Sequence, residues 1–218
     1  IAAVGGQTAE HILAESLTQK DLPCAAAIMN ALASMNSTIA VNEYLVWAKD
    51  PSPNTKAAAY NALARSGSPL AYPVLLEAAR GISYRWDRTG ATNALLDYAI
   101  TCGKNANVRT ADKILRLLMT KCNDRLNIQY KTAALHAYTD LHGISAMTQI
   151  LKAASHPDDK FRNAAINMTA SLDDPEVVKM WIRHYPNASP AAKPEILSML
   201  GARGDEAALP VITSALTD

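Results

Sequence analysis

The stretch NTKAAAYNALARSGSPLAYPVLLEAA, residues 54–79, contains the pattern that decides the fold. Its first part is rich in alanine, with small apolar residues at the 3.6-residue spacing of one helix face. Gly67 can adopt the left-handed conformation that ends a helix, Ser68 can cap the next helix, and Pro69 is tolerated in a first turn. We therefore predict a hairpin of two helices, over residues 55–65 and 70–79.

This pattern recurs along the chain. Asn-Ala-Leu-Ala stands at residues 30–33 and 61–64, and Asn-Ala-Leu-Leu at residues 93–96. Later units keep the register at a spacing of about 31 residues, except for one longer interval between residues 93 and 136. A single hairpin cannot bury both of its apolar faces, so neighbouring units must stack. The sequence predicts an all-α solenoid, or superhelix, of about six helical hairpins, preceded by a partial hairpin at the N-terminus.

Two segments carry a family resemblance. Residues 54–76 and residues 201–212, GARGDEAALPVI, resemble the short HEAT repeats of the phycobilisome-lyase type. That pattern is a basic residue, an alanine-rich helix, Leu-Gly-x-x-Gly-Asp and then Ala-x-Pro-x-Leu. The resemblance implies a HEAT-repeat, armadillo-like superhelix over residues 1–218, treated as one domain. It specifies a fold and not an activity.

A narrower likeness concerns residues 198–205, SMLGARGD. They are similar to the HEAT arrays that precede a jelly-roll domain of the 3-keto-disaccharide hydrolase type in exported bacterial proteins. This likeness implies that residues 1–218 are a fragment of a larger protein, and that carbohydrate chemistry would belong to another domain. It also favours a periplasmic or extracellular location.

The charge is unevenly distributed. The net charge of +1 produces no global field, but residues 80–131 hold ten Lys or Arg against four Asp. Within this basic middle, arginines and aromatic residues of the kind enriched at binding hot spots gather before the third hairpin. The predicted binding residues there are Arg80, Tyr84, Arg85, Trp86 and Arg88. The alternative for Trp86 is that it starts the next helix and covers exposed core.

Two further sets of side chains are candidates. Arg109, Lys113 and Arg116 share one face of the predicted second helix of the third hairpin, where they could bind an anionic ligand or form an ordinary solvated face. An asparagine also recurs beside the buried stripe of the first helices. Stacking could align these residues into a structural ladder, which we favour, or into a site for a peptide backbone. The ladder residues are Asn30, Asn61, Asn93 and Asn167.

No catalytic or metal motif is present. The chain has no HExxH, no GxSxG and no phosphate-binding glycine loop, and its three cysteines have no CxxC spacing. We therefore predict neither enzymatic activity, nor a cofactor, nor a metal, and no apolar run is long enough for membrane insertion. The favoured function is a scaffold that binds a protein partner or a neighbouring domain of the same chain. The alternative is a HEAT-like DNA-repair glycosylase that uses the basic middle repeats.

Overall fold

The computed structural model describes residues 6–19 and 23–215, and this part of the chain is helical without a strand. The helices alternate between first and second members of hairpins. They are α1 (Gln7–Ser16), α2 (Ala25–Ser34), α3 (Val41–Trp47), α4 (Pro53–Ser66), α5 (Ala71–Gly81), α6 (Ala91–Lys104), α7 (Val108–Lys121), α8 (Ile128–His142), α9 (Met147–Ala153), α10 (Asp159–Met168), α11 (Pro175–His184), α12 (Ala192–Arg203) and α13 (Leu209–Ala215). This order confirms the predicted α-solenoid, in which α1 is the partial hairpin and α2 to α13 form the full ones.

The chain divides into two compact units, residues 1–130 and residues 131–218. In the first unit, the first helices α2, α4 and α6 pack closely on one another, and α6 packs on α7. The close approach follows from small side chains, because Ala58, Ala59 and Ala62 of α4 are all buried. Leu63 and Leu75 are fully buried beside them, and each stabilises the core by about 2 kcal/mol. That residues 1–218 form a single domain stays a prediction.

The turn after α4 is close to the one that we predicted. Gly67 has a φ of 63° and ends the helix, and the Ser68 hydroxyl accepts a hydrogen bond from the Leu70 N–H at 3.3 Å. Helix α5 begins at Ala71, so Pro69 lies just before the helix rather than in its first turn. Ala106, in the next hairpin, takes the same left-handed conformation, with a φ of 61°. The left-handed residue therefore belongs to the turn itself, whichever residue occupies it.

In the second unit, polar side chains join successive hairpins. Asp174 caps α11 by accepting a hydrogen bond from the Glu176 N–H at 2.9 Å, and Pro175 follows at the first helical position, as the sequence indicates. The Arg162 guanidinium of α10 donates to both carboxylate oxygens of Glu195 on α12, at 3.0 and 2.8 Å. Both side chains of this pair are largely buried, so it fixes α10 against α12.

The longer interval between residues 93 and 136 has a structural cause. Helices α6 and α7 each have 14 residues, whereas α3 has seven and α5 has 11. After α7, residues 122–127 form a separate loop before α8 begins. Helix α4 also has 14 residues, so the third hairpin departs from the repeat through its longer second helix, α7, and an added loop.

Candidate interaction surface

Two loops lie at the same edge of the first unit, since each runs from a second helix to the next first helix. Residues 82–90 connect α5 to α6, and residues 122–127 connect α7 to α8. A guanidinium nitrogen of Arg85 lies 3.0 Å from a carboxylate oxygen of Asp124. The side-chain amide of Asn127 donates to the Ser83 carbonyl at 3.4 Å. These bonds join the two loops into one surface, which we call the loop pair.

The first loop has a fixed backbone. Ser83 and Tyr84 both have positive φ, at 55° and 56°, and the Tyr84 N–H donates to the Ala79 carbonyl at 2.8 Å. The buried Thr92 hydroxyl donates to the Arg85 carbonyl at 2.9 Å, which ties the loop to the start of α6. The Tyr84 side chain is only 7% exposed. Tyr84 is therefore a core residue under the loop, and not the exposed aromatic that we predicted for binding.

The second loop is organised by Asp124 and Asn127. Asp124 accepts a hydrogen bond from the Leu126 N–H at 2.8 Å, and its own N–H donates to the Asn127 side-chain oxygen at 3.0 Å. The bond from Arg85, reinforced by the Leu126 N–H, holds the pKa of the Asp124 carboxyl below its ordinary value. Asp124 thus stays ionised, which keeps the contact between the loops charge-assisted. Sequence reasoning missed this loop as part of the site.

The loop pair presents two large apolar side chains to solvent. Trp86 is 67% exposed and Leu126 is 60% exposed. Helix α6 begins at Ala91, so Trp86 neither starts the helix nor covers core, and that alternative is wrong. An indole held outward by a fixed loop can be buried by a partner at little cost in chain entropy.

Other exposed apolar residues have a different setting. Ile39, Leu70 and Val108 are also exposed, but each occupies the turn within a hairpin, just before or at the start of the second helix. An exposed apolar residue recurs at this position in successive hairpins, so these residues are part of the repeat itself. Trp86 and Leu126 lie in the connections between hairpins, where the repeat is interrupted.

The predicted basic face of α7 is mostly engaged in contacts of its own. The ammonium group of Lys113 lies 5.2 Å from the ring centroid of Tyr72, and Arg116 donates to Asp112 at 2.8 Å. Arg109 is exposed and has no ionic partner among the described residues. These three cations are placed on one helix face, as expected, but two of them already have partners.

The cations of the loop pair fall into two groups. Arg80 and Lys121 lie in the last turns of α5 and α7, where a cation is stabilised by the helix dipole. Arg88 and Arg125 are exposed, and no carboxylate of residues 6–19 or 23–215 pairs with either of them. Arg80 and Lys121 are also exposed and have no ionic partner among the described residues, so four cations remain for a ligand, two of them on the loops themselves.

One pair of residues in the predicted asparagine ladder is hydrogen-bonded. The Asn61 amide donates to the Asn30 side-chain oxygen at 3.3 Å, across α4 and α2. Asn93 is exposed on α6 and makes no side-chain hydrogen bond within the described ranges. Asn167 instead donates to the backbone and side chain of Asn163, one turn earlier in its own helix.

Two other kinds of site are absent from the described residues. No cluster of three or more metal-ligating side chains is found in residues 6–19 and 23–215. Within the same ranges, no helix has both the length and the apolar character needed to span a bilayer.

Comparison with known proteins agrees with the helical architecture. The family model of HEAT repeats matches residues 10–96, which is less than half of the chain. This match runs from within α1 to the beginning of α6, and it includes the whole first loop of the loop pair. No curated protein matches the chain. Residues 10–96 are thus similar to HEAT repeats, which generally mediate protein interactions or scaffolding.

Proposed function

We propose that the chain is a non-catalytic scaffold that binds a protein partner, or a neighbouring domain of the same chain, through the loop pair. The observation that carries the proposal is the exposure of Trp86 on a loop fixed by Arg85, Asp124 and Asn127. Tryptophan and arginine are enriched among the few residues that dominate binding energy, each contributing roughly 2 kcal/mol or more. A fixed loop also spares the ordering cost that a mobile loop would incur.

A protein partner fits the surface better than nucleic acid does. Non-specific binding to DNA rests on many phosphate contacts from free cations. Two of the three cations predicted to form the basic face of α7 are already engaged, Lys113 with Tyr72 and Arg116 with Asp112. The glycosylase alternative gains no observation of its own.

The proposal extends to the larger protein. The likeness of residues 198–205 to arrays that precede a sugar-active domain supports an interdomain arm within an exported carbohydrate-acting protein. Reading the coding sequence on both sides of residues 1–218 tests this extension. A signal peptide upstream and a jelly-roll domain downstream would support it, and an open reading frame without either would refute it.

The interaction itself can be tested by photo-crosslinking in the protein's native cell extract. A photoreactive amino acid replaces Trp86 in one variant and Val46 in the control, because Val46 on α3 is equally exposed, at 68%. We expect a discrete crosslinked species, or an intramolecular crosslink in the full-length protein, from position 86 alone. The same products from both positions, or none from position 86, would refute the loop pair as the binding surface.

A further inference from the structure

The loop pair combines apolar anchors with an excess of positive charge. Trp86 and Leu126 offer two apolar side chains on loops that are bonded to each other. The loop pair, together with Arg80 and Lys121 at the adjoining helix ends, contains five Lys or Arg and two Asp. A ligand for such a surface needs an apolar group to cover the indole and anionic groups around it.

The individual charges sharpen this requirement. Arg85 is already paired with Asp124, and Asp87 accepts hydrogen bonds from the Thr89 hydroxyl while it offsets part of the local positive charge. Arg88 and Arg125, one on each loop, have no ionic partner within the described part of the chain. Within the loops themselves, recognition of anionic groups therefore falls to one arginine on each loop, with Arg80 and Lys121 at the adjoining helix ends.

We infer that the loop pair recognises an acidic protein segment with a large apolar side chain, which covers Trp86 and Leu126 while its carboxylates pair with Arg88 and Arg125. This inference rests on the proposed function and names the chemistry of the partner. Arginine suits the task, because its guanidinium binds a carboxylate through two parallel hydrogen bonds. Charge complementarity of this kind selects the partner and speeds the encounter.

Two other occupants fit less well. A second copy of the chain in a two-fold dimer would bring the loop pair against itself, so that Arg88 and Arg125 would face like charges. Single-stranded or duplex nucleic acid could stack a base on Trp86, but Leu126 provides no stacking surface and the four unpaired cations at the loops and the adjoining helix ends provide few phosphate contacts. Both occupants are outcomes of the test below.

The test uses Trp86 as the reporter, because it is the most exposed of Trp47, Trp86 and Trp181, and an exposed indole shifts its emission when it is covered. The probe is a short peptide in which Glu and Asp flank a Leu-Phe pair. One control peptide replaces the acids with Gln and Asn, and the other replaces the Leu-Phe pair with Ser-Ser. The charge-reversal variant is Arg88→Glu with Arg125→Glu, and the matched control is Lys104→Glu, an exposed lysine in the last turn of α6. Titration with duplex DNA tests binding of nucleic acid, and raising the concentration of the protein alone tests self-association.

We expect the acidic peptide to bind more tightly than both control peptides. The double reversal should weaken that binding by roughly tenfold or more and confer affinity for a peptide with Lys in place of the acids. The control Lys104→Glu should change the affinity by less than about twofold. Binding of the Lys-containing peptide by the double variant shows that this variant is folded. Equal affinity for acidic and neutral peptides, tighter binding of DNA, or self-association of the parent protein at rising concentration would each overturn the inference. If position 86 crosslinks to a partner but charge reversal has no effect, the inference fails and the proposed function stands.

Discussion

Replacing Asn127 with alanine should loosen the loop pair, because this side chain is 2% exposed and bonds to both loops. Its oxygen accepts from the Asp124 N–H at 3.0 Å, and its amide donates to the Ser83 carbonyl at 3.4 Å. A buried hydrogen bond contributes about 1 kcal/mol net, and a donor left without a partner costs somewhat more. The bond to Ser83 is long and its carbonyl belongs to an exposed residue, so water can replace it. We expect Asn127→Ala to lower the free energy of unfolding by about 1–2 kcal/mol.

The measurement combines urea unfolding with amide hydrogen exchange. Exchange of the Asp124 N–H should accelerate in Asn127→Ala, because that amide loses its acceptor, while amides of α4 should exchange as in the parent. The control is Asn123→Ala, an exposed residue of the same loop, whose side chain donates to the Thr120 carbonyl. The prediction fails if Asn127→Ala and Asn123→Ala are equally stable and the Asp124 N–H exchanges at the parent's rate. In that case the Asn127 side chain would not be what holds the loops together.

Three further predictions concern the turns and the ion pairs. Gly67→Ala should destabilise the first unit and Ala106→Gly should stabilise it, each by about 1 kcal/mol in thermal unfolding, because both positions have left-handed φ. A change of stability in the same direction in both variants would contradict this. Glu195→Ala should cost roughly 3 kcal/mol by leaving the buried Arg162 guanidinium without its carboxylate, with a smaller loss in Glu195→Gln. Equal stability of the two Glu195 variants in urea would show that the charge is unimportant. The folded-state pKa of Asp124 is lowered, so the contact between the loops should hold above the carboxyl's ordinary pKa of about 3.9 and be lost as the pH falls through the lowered value. Acrylamide quenching of tryptophan emission, measured against pH, reports the loss of this contact. The same pH profile in Asp124→Asn as in the parent protein would refute the prediction.

Much of the fold could be predicted from residues 54–79 and their repetition. The alanine spacing predicted which face of α4 is buried, and Gly67 predicted the left-handed turn, because both depend on short-range geometry. The start of α5 was predicted one residue early, since Ser68 caps the turn through the Leu70 N–H instead of the first helical amides. Boundaries depend on such single hydrogen bonds, which the periodicity does not contain.

The candidate site could be predicted only in part. Composition indicated Trp86 and the arginines, but the partners of Arg85 and Ser83 lie 39 and 44 residues further along the chain. Local patterns carry no information about such pairs. The burial of Tyr84 was missed for the same reason, because a positive-φ loop turns its ring inward.

The position of the loop pair follows from how a repeat protein is constrained. Stacking fixes the residues of each helix face and each hairpin turn, so an apolar residue that recurs there, such as Leu70 or Val108, reflects the repeat. Connections between hairpins are free of that requirement, and insertions in them are concentrated on one face of the array. Residues 82–90 and 122–127 are two such connections in consecutive hairpins, and they are bonded to each other. An exposed Trp86 in this setting has no role in stacking, so contact with another molecule or domain is what would account for it.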